Sequence, residues 1–299
     1  MESKKGLMLV LGTAVISGFS IFINSYGVKG FDSSVFTFSK NFAVALALIA
    51  LILGMRQWRE IARLSRRQWS QLFVIGVIGG SIPFLLFFKG LQLASGATAS
   101  FIHKTLFLYA AVFAVIFLKE KLSKGLLIGC ALLLAGNFVV LMPKLTFSFG
   151  HLLILIAALF WAAENVYAKH VLKQLSGTMV AFGRMFFGSI LLLFFIIAMD
   201  KESLLIGMTS AQYGWIGITS ILLLAYVVTY YNGLKLVKVS SATAILVLGS
   251  VITTLLDLLF KGTPVTLSQA FGMVLIAAGI VSVVWFSPAS GKLASAKAA

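Results

Sequence analysis

Of the 299 residues, 60% are hydrophobic and only 11% charged, and the mean hydropathy is +1.06; a water-soluble chain of this length needs far more polar surface to cover its core. The formal net charge of +16 would suggest a nucleic-acid partner in a soluble protein, yet no basic helix with interleaved stacking aromatics occurs. A single cysteine, Cys130, excludes a disulfide framework and a cysteine metal cluster.

About 20 largely apolar residues make one bilayer-spanning helix, and ten such stretches follow one another: 6–27, 34–54, 71–90, 97–117, 123–142, 149–169, 177–198, 213–234, 240–260 and 267–286. All are expected to be helical, because an open strand in lipid leaves its amides and carbonyls unpaired. The first follows Lys4-Lys5 but is longer than a signal-peptide core and lacks a small-residue cleavage site, so it reads as a retained anchor. The tail 287–299 is small and polar and reads as an unstructured end.

With the N-terminus inside, the inner segments carry sixteen Lys and Arg, among them Arg56, Arg59, Arg63, Arg66 and Arg67. The outer segments carry four: Lys29, Lys144, Lys201 and Lys261. This asymmetry is a positive-inside signal, and it explains the net charge with the lipid bilayer as partner and no nucleic acid. The expectation is a multi-pass protein of the plasma (inner) membrane of a prokaryote, with both termini cytoplasmic.

The chain repeats itself. Gly129 and Gly136 return 143 residues later as Gly272 and Gly279, Gly90-Leu91 as Gly233-Leu234, Ala99 as Ala242 and Ser123 as Thr266. Near the start of each half, Lys40 and Arg184 lie 144 apart. The repeats are read as 6–142 and 149–286. Five helices per repeat is an odd number, so the second enters the membrane from the opposite side. The fold class is therefore an all-α membrane protein with ten transmembrane helices as two inverted five-helix repeats, an arrangement that suits alternating access.

Each repeat closes on a short polar turn and a helix with two glycines seven apart, LKEKLSKGLLIGCALLLAG and KGTPVTLSQAFGMVLIAAG. In this the chain resembles the EamA-type carriers of the drug/metabolite transporter superfamily over residues 7 to 286. Glu120 stands at the start of the first turn, where such carriers commonly place a Glu, whereas the second turn has Lys261-Gly262-Thr263. The resemblance implies a secondary carrier with a central cavity.

Charges inside a bilayer are costly unless paired or hydrated, so each marks a candidate site. Those within the spans are Lys40, Lys89, Lys104, Glu164, Arg184 and Asp257, with His103 beside Lys104. Lys89 lies near the outer end of its helix and reads as a lysine snorkelling to the headgroups. Trp161, Glu164 and Asn165 share one helical face, and Trp161 is the one mid-membrane tryptophan, with a carboxylate beside its indole N–H. Phe107 lies on the face of His103, and Tyr226 lines up with Tyr230. Small hydroxyl residues form further stripes, Thr13, Ser17 and Ser20 with Asn24, and Ser250, Thr253 and Thr254 with Asp257. By depth, Glu164 can pair with Arg184, whereas Asp257 lies in the same outer third as Lys104 and Lys40.

Four cations against two anions are most simply neutralised by an anionic or zwitterionic solute. The reading is a secondary transporter of a small organic solute, an amino acid or organic anion. Its substrate-binding candidates are Lys40, His103, Lys104, Phe107, Trp161, Glu164, Asn165, Arg184, Tyr226 and Tyr230. Glu164 and Asp257 are the coupling candidates, with protons as the coupling ion. The alternative is a proton-coupled exporter of cationic or amphipathic compounds in which Glu164 is the cation and proton site, as in the small four-helix multidrug exporters of the same superfamily. A non-transporting ten-helix scaffold and a membrane enzyme are the less favoured readings; no H-E-x-x-H, G-x-S-x-G or GxxxxGK[ST] motif occurs, so neither enzyme chemistry nor a nucleotide-driven pump is expected, and no cofactor or metal. The topology predicts that a cysteine placed at Ser65, with Cys130 replaced by serine, reacts with an impermeant thiol reagent only from the cytoplasmic side; labelling from outside would overturn it.

Overall fold

The structure, a computed structural model, describes residues 3–27, 30–93, 96–142, 148–262 and 264–285; the tail expected at 287–299 lies outside them. Among the described residues ten helices are long and apolar enough to cross a membrane: α1 (Lys4–Gly27), α2 (Ser33–Gly54), α3 (Arg66–Gly90), α4 (Thr98–Leu118), α5 (Lys124–Leu141), α6 (Phe149–Val171), α7 (Gly177–Ala198), α8 (Ser210–Leu236), α9 (Val239–Lys261) and α10 (Leu267–Trp285).

The repeat is visible in how the helices begin. Ser65 opens α3 with a reciprocal capping box, its hydroxyl accepting from the Gln68 amide while the Gln68 side chain accepts from the Ser65 amide at 2.9 Å. Thr209 and Gln212 do the same for α8. Each box supplies partners for amides that the first helical turn leaves free. This carries both helices further toward the chain's N-terminus than their apolar runs alone indicate.

The helix contacts obey the inverted two-fold. Superposing α1–α5 on α6–α10 exchanges α1·α8 with α6·α3 and α1·α9 with α6·α4, and returns α2·α7, α4·α9 and α5·α10 to themselves; all are pairs that pack in the structure. The repeated glycines sit on this axis. A methyl at Gly129 would lie 2.8 Å from the Gly279 carbonyl oxygen, and one at Gly136 2.7 Å from that of Gly272. The glycines thus cross-pair, the first of each helix against the second of its partner, and let two backbones touch where neighbouring lipid offers no hydrophobic drive for association.

The fourth helix of each repeat is broken at a matched place. The α4 segments Gly96–Lys104 and Leu106–Leu118 meet at Thr105, and the α9 segments Val239–Ile245 and Leu248–Lys261 meet at Leu246 and Val247. At the Arg-rich end, Glu120 joins the repeats: its carboxylate accepts from the amides of Val239 at 2.8 Å and Ser240 at 3.3 Å and from the Ser240 hydroxyl at 2.7 Å. The acidic residue of the first closing turn is therefore the cap of α9, where a negative charge meets the positive end of the helix.

Gly136→Val should lower the thermal midpoint of the detergent-solubilised protein sharply, at a cost of about 1–3 kcal/mol or more for overpacking. Gly12→Ala, whose methyl would meet nothing within 4 Å, should leave it unchanged.

Candidate functional site

Between the repeats lies a cavity of about 260 Å³ walled by α1, α3, α4, α6, α7, α8 and α9. Nine of the sequence candidates line it: His103, Lys104, Phe107, Trp161, Glu164, Asn165, Arg184, Tyr226 and Tyr230. Both helix breaks face it, with His103, Lys104, Leu106 and Phe107 at one and Thr243, Leu246 and Val247 at the other.

The placement of Trp161 and Glu164 on its wall traces to a local irregularity of α3. Residues Gly76–Ser81 form a π-helical turn, and Pro83 just beyond it has no amide hydrogen to give the Gly79 carbonyl four residues earlier, so this stretch offers carbonyls to its surroundings. Two are used by other helices: the Gly79 carbonyl accepts from the Trp161 indole at 3.1 Å, and the Gly80 carbonyl from the Asn41 amide nitrogen at 3.1 Å. The indole partner expected from sequence was the neighbouring carboxylate; the structure gives it a backbone oxygen instead. Gly79 is also necessary sterically, because a methyl there would lie 2.6 Å from Glu164 Cγ.

Freed from the indole, Glu164 bonds elsewhere. The Tyr231 hydroxyl donates to Glu164 Oε1 at 2.6 Å and accepts from Arg184 Nη1 at 3.0 Å, while Arg184 Nη1 stands 3.8 Å from Glu164 Oε2. The ion pair anticipated from helical depth is present, bridged by a tyrosine that sequence reasoning missed. Glu164 is fully buried, and its Oε2 has no hydrogen-bond partner among the described residues. Tyr230 donates to Asn165 Oδ1, and Asn165 Nδ2 to the Trp161 carbonyl at 2.8 Å. One face of α6 is thereby locked to α8.

Aromatic rings gather around Trp161. Phe84 and Phe87 of α3 pack edge-on to Trp161 with ring centroids 5.2 and 5.5 Å away, and the His103 ring lies 5.3 Å from it. Lys104 points into the same space, and among the described residues it has neither an ion-pair partner nor a hydrogen bond. No three His, Cys, Asp or Glu side chains come together as a metal would need, again among the described residues.

Two candidates stand apart. Lys40 does not reach the cavity; its ammonium donates to Asn24 Oδ1 at 3.1 Å and lies 4.7 Å above the Phe36 ring. Asp257 pairs with Lys261 one turn along α9 at 2.6 Å. Depth had grouped them with Lys104, but depth does not fix the side of the helix a residue occupies. The hydroxyl stripes divide too: Ser17 lines the cavity, whereas Thr253 donates to the Gly18 carbonyl at 3.0 Å and fastens α9 to α1.

Ten apolar helices in two inverted halves around a charged, aromatic-walled cavity define a multi-pass membrane transporter. The profile of the EamA-like transporter family matches residues 4–142 and 148–285, and the chain belongs to that family, within the drug/metabolite transporter superfamily. It is 23% identical over 294 residues to an "Uncharacterized transporter" of Archaeoglobus fulgidus, covering 94% of this chain and 99% of the relative. It is 24% identical to "Protein LicB" of Haemophilus influenzae over 79% of this chain and 82% of the relative. To the "Uncharacterized transporter YyaM" of Bacillus subtilis it is 23% identical over 92% of both chains. A crystal structure shares the fold with a TM-score of 0.76 at 16% identity, across 96% of this chain and all of that one.

Glu164→Gln should lower stability by about 3–5 kcal/mol, the range for leaving a buried ion without its partner, and adding Arg184→Gln should restore part of the loss. Thermal unfolding of the single and double variants checks this; additive losses would mean that the two groups do not act as a pair.

Proposed function

We propose that the central cavity carries a small organic solute, an amino acid or an organic anion, across the membrane by alternating access. The reading rests on Lys104, a cavity cation without a counter-charge. The repeat strengthens it, because the position 143 residues on is Val247. The second repeat breaks its fourth helix at the matched place with an apolar residue there, so the break itself does not call for a lysine. An ammonium facing a membrane cavity in excess of the local anions attracts a carboxylate or a similar group.

Glu164 takes the coupling role in this scheme. A solute carboxylate that reaches Arg184 competes with Glu164 for the guanidinium, and the displaced carboxylate then binds a proton. Asp257 has no part, since Lys261 already neutralises it outside the cavity. Export of cationic compounds through Glu164 is disfavoured by the same geometry: the Tyr231 hydroxyl and Arg184 already engage that carboxylate, and Lys104 would repel the cargo.

Thermal-shift screening of the purified protein against amino acids, organic acids and cationic dyes tests the reading, because a ligand stabilises the state it binds. An anionic or zwitterionic compound should raise the midpoint, and Lys104→Met should weaken binding of that compound by roughly 5- to 150-fold, about 1–3 kcal/mol, without lowering the midpoint of the unliganded protein. Stabilisation by cationic dyes alone, indifferent to Lys104→Met, would reverse the assignment.

A further inference from the structure

A second cavity, of about 350 Å³, lies beside the first between α2, α3 and α7, at the end of the bundle that the loop charges place outside. Half of its lining residues are polar: Asp32, Ser33, Ser34, Thr37, Lys89 and Lys201. That is far more than helix packing against lipid requires.

The charges there do not cancel. Lys201 pairs with Asp32 Oδ2 at 2.7 Å, and Asp32 Oδ1 accepts from the amides of Ser34 at 2.9 Å and Val35 at 3.3 Å, so the α2 N-terminus already has its anion. Partial burial alone would raise the Asp32 carboxyl, but the Lys201 ammonium and the hydrogen bonds from Ser34 and Val35 outweigh it and hold the group below its ordinary value. Lys89 remains. It is exposed, lines this cavity, and has no ion-pair or hydrogen-bond partner among the described residues. A lysine only snorkelling to headgroups would not face a polar chamber.

Two rings are common to both cavities. Phe84 and Phe88, one turn apart on α3, stack at 6.3 Å between centroids with planes 18° apart, and both line the outer chamber and the central one. Phe84 also leans on Trp161.

We propose that this chamber is an outer binding site for the anionic group of the solute, with Lys89 as its cation and the Phe84–Phe88 pair as the partition between it and the central cavity. The proposal rests on the transport reading and on the orientation given by the loop charges. A carboxylate is drawn first to Lys89, then passes the aromatic pair to Lys104. Phe rings suit such a partition because they exclude water while a rotamer change displaces them without breaking a hydrogen bond.

The test uses two thiol reagents of similar size and opposite charge, sulfonatoethyl and trimethylammonioethyl methanethiosulfonate, added from outside to full-length protein carrying Cys130→Ser. At Leu85→Cys, one turn from Lys89 in the outer chamber, the anionic reagent should react several-fold faster than the cationic one, and Lys89→Gln should abolish the preference. Leu246→Cys, which reports on the central cavity alone, should react slowly until Phe84→Ala is added and then several-fold faster. Equal rates for the two reagents at Leu85→Cys, or a preference that survives Lys89→Gln, would overturn the site. Fast labelling of Leu246→Cys with Phe84 intact would overturn the partition. So would unchanged labelling after Phe84→Ala in protein that still reacts at Leu85→Cys. No transported solute is needed, so this experiment fails or succeeds separately from the central-cavity reading.

Discussion

Taking a carboxylate and a guanidinium out of water costs several kcal/mol each unless close partners replace the lost hydration. Here the replacement is the Glu164–Tyr231–Arg184 cluster, one residue each from α6, α8 and α7. Much of the surrounding structure serves it. Gly79 has no side chain because Glu164 lies against it, and the π turn that contains Gly79 also presents the carbonyl that occupies the Trp161 indole. The cluster thus joins three helices of the second repeat and, through Gly79 and Gly80, brings in α3 and α2 of the first.

The scaffold is symmetric and the chemistry is not. Capping boxes, broken fourth helices and cross-paired glycines occur at matched positions in both halves. Several cavity residues do not match: Trp161 and Asn165 correspond, 144 residues earlier, to Ser17 and Ile21, which line the same cavity without a ring or an amide. Arg184 corresponds to Lys40, which is turned away onto Asn24. Shared positions are those the backbone needs in order to pack twice in inverted orientation. In the transport scheme proposed above, the divergent positions are where one solute would be recognised in a single orientation, which a two-fold site would not allow.

The spans were legible because twenty apolar residues in a row have few alternatives, and the duplication because glycines at a fixed offset survive where side chains drift. The α6 face was legible too, since Trp161, Glu164 and Asn165 are spaced for one side of a helix. Tyr231 was not. It follows Tyr230, which already marked the cavity face of α8, and nothing in the spacing says that the adjacent residue reaches a carboxylate on another helix. The π turn was equally hidden; it rephases α3, so that Phe84, Phe87 and Phe88, which resemble ordinary lipid-facing phenylalanines in the sequence, become a cavity wall. Lys40 and Asp257 were misplaced because hydropathy reports depth and leaves rotation about the helix axis open.

Linkage between solute and proton follows if Arg184 cannot serve Glu164 and a solute carboxylate together. The most direct measurement uses proteoliposomes loaded with the anionic compound that stabilises the protein, comparing exchange at equal pH with net accumulation under an imposed pH difference, for the native protein and Glu164→Gln. The account predicts that the variant, once shown to be folded, still exchanges solute for solute but no longer concentrates it. Accumulation driven by the pH difference at the native level in Glu164→Gln would contradict it.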